Sequence, residues 1–125
     1  MKQVISTVLA PKAIGPYSQA VEVNGTVYCS GQIPIDPQSG ELVAGTIEVQ
    51  AERVMKNIQA VLAEAGVGFD HVVKTTCFLA DLADFQAFNA VYGKYFPENA
   101  PARSCVAVAG LPKGAKVEVE VIAVK

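Results

Sequence analysis

The sequence contains one histidine, His71, and three cysteines, Cys29, Cys77 and Cys105. A single histidine excludes a histidine-based metal cluster and leaves a serine or cysteine nucleophile without an obvious base. The cysteines are odd in number, lie in separate apolar segments and form no Cys-x-x-Cys pair. This pattern predicts buried thiols in a reducing compartment, with neither a disulfide framework nor a metal site.

Charged residues and long apolar runs are also scarce. Charged residues make up 18% of the chain, the formal net charge is −2, and lysine and arginine form no run. An extended surface that follows a nucleic-acid backbone is therefore not expected. No apolar run is long enough for a membrane-spanning helix, and the N-terminus lacks a signal-peptide pattern. We expect a soluble, cytoplasmic protein with no nucleic-acid or membrane partner.

Apolar residues are abundant instead, at 51% of 125 residues. That content suits one domain, residues 1–125, with a real hydrophobic core. The low charged fraction indicates that part of the surface is buried between subunits.

The residue pattern predicts the element order β-β-α-β-α-β-β, preceded by a leader over residues 1–19. Asn24-Gly25 between two alternating segments predicts a β-hairpin. An apolar stripe with helical spacing predicts a helix from Thr46 to about Ala65, ended by Gly66.

A second helix is expected to begin at Asp81 or Asp84 and to end before Pro97. Each helix has one apolar face, so both are expected on the same side of one mixed sheet, which is an α+β fold. The other face of the sheet then has no cover within the chain, and another subunit is expected to cover it.

Arg103 enters an apolar strand near the end of the chain, where an unpaired guanidinium costs free energy. One interpretation is an ion pair with Glu118 or Glu120 in the strand that follows. The other is a bidentate clamp for the carboxylate of a small ligand. The local pattern favours neither.

Glu118 and Glu120 share one face of the predicted last strand. They fit either an acidic stripe on a solvated face or, near Arg103, a carboxylate that positions and deprotonates a water. Gly31 predicts a bulge or a close backbone approach. Cys105 has no neighbouring base and is interpreted as an inert thiol.

Five separated segments together resemble the reactive-intermediate deaminase (RidA/YjgF) family, in the same order and over almost the whole chain. They are Ile14-Gly-Pro-Tyr-Ser-Gln19, Ser30-Gly-Gln-Ile-Pro34, Val73-Lys-Thr-Thr76, Phe88-Asn-Ala-Val-Tyr92, and Pro101-Ala-Arg-Ser-Cys-Val106 with its continuation to Leu-Pro-Lys113 and Val-Glu-Val-Glu120. Five matching segments in order are far more specific than any one of them.

The resemblance implies a chorismate-mutase-like α+β fold, a homotrimer around a central barrel, and active sites in the clefts between subunits. It implies hydrolysis of 2-imino acids, such as 2-iminopropanoate and 2-iminobutanoate derived from 2-aminoacrylate-type enamines, to 2-oxo acids and ammonia. Neither a cofactor nor a metal is expected.

The resemblance also assigns roles to residues. Arg103 would bind the substrate carboxylate and Glu118 would orient the water, while Glu120 would have no such role. The remaining pocket residues implied by the resemblance are Tyr17, Ser30, Gly31, Asn89 and Cys105. Taken singly, Tyr17 is equally interpreted as a packed aromatic and Ser30 as an edge hydroxyl.

Two other functions remain as alternatives. One is a non-enzymatic regulator that binds small carboxylates, or a chaperone-like module. The other is a ribonuclease or translation inhibitor, which the net acidity, the absence of a basic patch and the lone His71 disfavour.

Overall fold

Six strands form one mixed sheet, and two helices pack against one of its faces, in a computed structural model that describes residues 1–125. The elements in chain order are β1 Gln3–Ile5, β2 Ala20–Val23, β3 Thr26–Cys29, α1 Ile47–Glu64, β4 Val72–Leu79, α2 Phe85–Tyr95, β5 Ala102–Ala107 and β6 Val117–Val124.

The α+β fold with two helices on one mixed sheet is confirmed, but the predicted order lacks β1. Residues 3–5 are not part of an irregular leader, because they pair antiparallel with β2. A strand of three residues is too short to show an alternating pattern in the sequence.

The strands lie in the order β1-β2-β3-β6-β4-β5. All pairs are antiparallel except β4–β5, which is parallel because α2 carries the chain across between them. The last strand, β6, is therefore inserted between β3 and β4 and does not neighbour β5.

The local signals for the hairpin and the first helix are confirmed. Asn24 and Gly25 have φ values of 52° and 79°, the left-handed pair that a two-residue hairpin turn requires. The Thr46 hydroxyl accepts a hydrogen bond from the Val49 N–H and caps α1, and Gly66 follows its end with a φ of 84°.

The start of the second helix is more complex than the sequence predicts. The Asp81 carboxylate accepts from the Ala83 N–H and caps a short 3₁₀ turn, Leu82–Asp84. Asp84 then occupies the N-cap position of α2 without a side-chain hydrogen bond.

No helix combines the length and the hydropathy that a membrane crossing requires.

The core lies between the helices and one face of the sheet. Val117, Val119 and Val121 of β6 point into it and are at most 1% exposed, so Glu118 and Glu120 point to the opposite, open face. On that face Tyr28 and Val106 are 45% and 46% exposed within the subunit. The second, partly apolar sheet face expected from the sequence is thus present.

Candidate active site

The two charged side chains of the predicted site lie on opposite faces of the sheet. Arg103 of β5 stands beside Thr75 of β4, whose hydroxyl is 2.8 Å from the Tyr92 hydroxyl of α2, so Arg103 faces the helices. Glu118 of β6 stands opposite Phe78 of β4, whose side chain points to the face of the sheet opposite that of Thr75. Within one subunit the two side chains therefore do not converge.

Arg103 is held by uncharged groups. Its Nη1 donates to the Asn89 Oδ1 at 2.7 Å, and its Cζ lies 4.8 Å from the ring centroid of Tyr92 and 5.5 Å from that of Phe85. The ion pairs of the chain are Lys94–Glu52 and Lys125–Glu22, the His71 ring lies 3.0 Å from the Asp70 carboxylate, and none of these contacts involves Arg103.

The interpretation of Arg103 as the partner of Glu118 or Glu120 in an ion pair is therefore wrong within the subunit. That interpretation assumed that the two strands pair because they follow one another in the chain. In the structure β4 separates them, and the side chains point to opposite faces.

Cys105 shares the helix-facing side of β5 with Arg103 and stands beside Cys77 of β4. All three cysteines are free. Burial raises the pKa of Cys105, although the nearby guanidinium of Arg103 acts in the opposite direction. A thiol with a raised pKa is a poor nucleophile at neutral pH, which agrees with its interpretation as inert.

Glu118 lies directly against the backbone of Gly31. The chain beyond β3 runs along β6, where the Gln32 N–H donates to the Val119 carbonyl at 2.9 Å and the Val119 N–H donates back at 3.2 Å. A Cβ on Gly31 would lie 2.9 Å from the Glu118 Cδ and would clash with its carboxylate. The close approach predicted at Gly31 is confirmed, and Glu118 is the group that requires it.

The pKa of Glu118 is raised, first by burial and then by the charge of Glu120 on the same strand face. No group of the subunit offsets this by donating a hydrogen bond to the carboxylate. A carboxylate with a raised pKa is a better proton acceptor near neutral pH than an ordinary surface glutamate.

A cleft of about 800 Å³ opens in front of Glu118, and we call it the Glu118 cleft. Its walls come from residues 11–12, 14–17, 30–33, 35 and 37–40 and from Pro112, Lys113 and Glu118. The volume falls in the range of small-molecule sites. The cleft is lined by Tyr17, Ser30, Gly31 and Glu118 of the predicted site. The other predicted site residues, Arg103, Asn89 and Cys105, lie outside it.

The sequence reasoning missed Gln19, which fixes the loop that carries Tyr17. Its side chain is 4% exposed, accepts from the Thr7 N–H at 2.7 Å and donates to the Pro11 carbonyl at 2.8 Å. Ser30 adds a second tie, because its hydroxyl donates to the Ser18 carbonyl at 2.6 Å. A polar residue directly before a strand was the available signal, but its partners lie up to 12 residues away.

The structure gathers no group of three or more histidine, cysteine, aspartate or glutamate side chains that could hold a metal ion.

Comparisons with known proteins cover the whole fold. Residues 7–125 match the protein family described as Endoribonuclease L-PSP. The chain is 57% identical over 121 residues to a candidate regulator of Lactococcus lactis, AldR, covering 97% of this chain and 96% of that protein. It is 50% identical over 125 residues to human 2-iminobutanoate/2-iminopropanoate deaminase, covering 100% and 91%. The structure of YyfA, a Rid-family protein of Yersinia pestis, superposes with a TM-score of 0.96 at 52% identity and covers 100% of both chains.

Proposed function

Because this chain belongs to the Endoribonuclease L-PSP (YjgF/RidA) family and is 50% identical to the human imine deaminase, we propose that it hydrolyses 2-imino acids to 2-oxo acids and ammonia. The substrates would be small 2-imino acids such as 2-iminopropanoate and 2-iminobutanoate. The observation that carries the proposal is the Arg103 guanidinium, which no carboxylate of the subunit neutralises. A planar guanidinium with free donors is suited to bind the carboxylate of such a substrate through two parallel hydrogen bonds.

The chemistry needs few groups. Arg103 would orient the substrate, and Glu118 would accept a proton from a water as its oxygen bonds to the carbon of the protonated imine. The C=N double bond becomes a C–N single bond in a carbinolamine. Glu118 then returns its proton to the nitrogen, and the C–N bond breaks with its electron pair on nitrogen. The carbinolamine oxygen forms the C=O bond and its hydroxyl proton passes to Glu118 and then to solvent or ammonia, so that ammonia and the 2-oxo acid leave.

Because Arg103 and Glu118 point to opposite faces of the sheet, a site that uses both is expected to combine two subunits. We propose that the chain forms a homotrimer in which each site takes Arg103 from one subunit and Glu118 with its cleft from the next. The partly apolar open face of the sheet, with Tyr28 and Val106, supports burial between subunits.

The three free thiols favour a reducing compartment, and we propose that the protein is cytoplasmic.

Release of 2-oxo acid tests the reaction. 2-Aminoacrylate is generated in situ by a serine dehydratase, and semicarbazide is present to trap the imine as a semicarbazone. The chain is expected to increase the yield of pyruvate and to decrease the yield of the semicarbazone that forms from the imine. The rate of pyruvate formation should rise in proportion to chain concentration. Equal pyruvate and semicarbazone yields with and without the chain would contradict the proposed activity.

Subunit mixing tests the shared site. Arg103→Ala and Glu118→Gln chains are each expected to be nearly inactive, but co-assembled at equal amounts they should regain about a quarter of native activity, because one interface in four combines two intact halves. Light scattering should give about three times the 13.1 kDa chain mass. Mixed trimers that stay inactive would contradict a site shared between adjacent subunits.

The likeness to AldR favours one second candidate, a regulator that binds small carboxylates without turnover. It predicts that 2-oxobutanoate binds and that neither the native chain nor Glu118→Gln releases pyruvate faster than buffer. An RNA-directed activity is disfavoured by the net charge of −2 and by the position of His71, which lies outside the Glu118 cleft. We expect no RNA binding near physiological salt.

A further inference from the structure

One face of α2 forms the environment of the Arg103 guanidinium. Phe85, Asn89 and Tyr92 are spaced at i, i+4 and i+7, so they line one side of the helix. All three residues contact the guanidinium, at 5.5 Å, 2.7 Å and 4.8 Å respectively. We call them the α2 cradle.

The cradle restrains Arg103 without neutralising it. An aromatic face attracts a guanidinium by its quadrupole, and an amide oxygen accepts one hydrogen bond, but neither carries a net charge. A carboxylate in the same position would hold Arg103 more strongly and would compete with an anionic ligand. A cradle of uncharged groups therefore leaves the positive charge of Arg103 available to bind an anionic ligand.

The cradle also leaves hydrogen-bond donors free. The five N–H groups of a guanidinium lie in its plane, whereas stacking uses its faces. Asn89 takes one donor from Nη1. Two aromatic contacts can thus limit the tilt of the plane without using the in-plane donors that a bidentate carboxylate requires.

Tyr92 is itself held firmly. Its hydroxyl is 2.8 Å from the hydroxyl of Thr75, which is fully buried, and its ring packs 4.8 Å from that of Phe96. Burial raises the pKa of Tyr92, so the phenol stays neutral at physiological pH. Phe85 is only partly buried and closes the other part of the cradle.

We propose that Phe85 and Tyr92 are positioning residues that hold the Arg103 guanidinium in the orientation for bidentate binding of a carboxylate. They act through Arg103 and need not touch the substrate. The identity of that carboxylate as a 2-imino acid rests on the proposed function, but the arrangement of the cradle does not.

Kinetics of Phe85 variants test the positioning role. Phe85→Leu is expected to raise KM about fivefold with kcat changed less than about twofold, in line with the loss of one cation–π contact. Phe85→Tyr, which keeps the ring, should restore KM. Phe69→Leu is the matched control, because the Phe69 ring packs against the rings of Tyr95 and Phe96 and not against Arg103. An unchanged KM in Phe85→Leu, or an equal rise in Phe69→Leu, would overturn the inference.

Two measurements separate this inference from the proposed function. The dissociation constant of 2-oxobutanoate, measured by calorimetry, should rise about fivefold in Phe85→Leu even if no turnover is found. In NMR spectra, ring currents should shift the side-chain signals of Arg103 upfield relative to Arg53, which binds Asn57 and contacts no ring. Phe85→Leu should reduce that shift. A native chain with carboxylate binding but without the shift would contradict the cradle alone.

Discussion

Arg103→Lys is expected to lower kcat/KM for 2-imino acids about 100-fold or more while the chain stays folded and assembled. Lysine keeps the positive charge but loses the planar fork, so at most one of two charge-assisted hydrogen bonds to the carboxylate survives. Such a bond contributes about 1.5–3 kcal/mol. Lysine also lacks the planar group whose Cζ lies over the rings of Phe85 and Tyr92. Initial rates of 2-oxo acid formation, with circular dichroism and light scattering on the same samples, measure the effect.

The second arginine of the chain provides the control. Arg53 lies in α1, donates from Nε to the Asn57 side chain and does not itself line the Glu118 cleft. Arg53→Lys is expected to leave kcat/KM within about twofold of the native value, because lysine keeps the positive charge and a donor for Asn57. If Arg103→Lys retained native kcat/KM, the bidentate clamp would be ruled out and a simple attraction by charge would suffice.

Local features of the fold could be predicted because their signals lie within a few residues. Asn24 and Gly25 adopt the left-handed conformations that their side chains tolerate best, and Thr46 caps the helix that follows it. The alternation of β6 correctly placed Glu118 on the face opposite Val117 and Val119. Each of these conclusions depends on short-range geometry only.

The neighbours of each strand could not be predicted in the same way. β5 and β6 follow one another along the chain, but β6 pairs with β3 and β4. Only the contacts of the whole sheet decide that arrangement, and it separates Arg103 from Glu118. An alternating pattern shows that a side chain leaves the core, but it does not show which group it then meets.

The α2 face shows the same limit at the level of side chains. The second helix was predicted to pack one apolar face on the sheet, and Tyr92, which lies on that face with Phe85, is 7% exposed. Their contact with Arg103 depends on the parallel pairing of β5 with β4, which sets Arg103 beside Thr75. A helical period identifies the buried face and leaves its partners open.

Glu118→Gln is expected to lower kcat at least about 100-fold, the range that general-base catalysis contributes. Glutamine fills the same space beside Gly31 but cannot accept a proton from water. The same change should not destabilise the fold at neutral pH. The raised pKa of Glu118 means that its stabilising contribution is present below the ordinary glutamate range and is lost as pH rises through the folded-state pKa. Urea unfolding at pH 7 should give Glu118→Gln a midpoint equal to or above that of the native chain.

The pH profile of the native chain gives an independent test of Glu118. Because the carboxylate form accepts the proton, kcat should increase as pH rises through a pKa above the ordinary glutamate range. Glu120 contributes to that elevation by its charge, so Glu120→Gln should move the acidic limb to lower pH and leave the plateau of kcat nearly unchanged. A limb that stays in place in Glu120→Gln would mean that burial, and not the charge of Glu120, sets the pKa of Glu118. A Glu118→Gln chain that kept both the limb and the plateau would remove Glu118 from the mechanism, and the water would need another base.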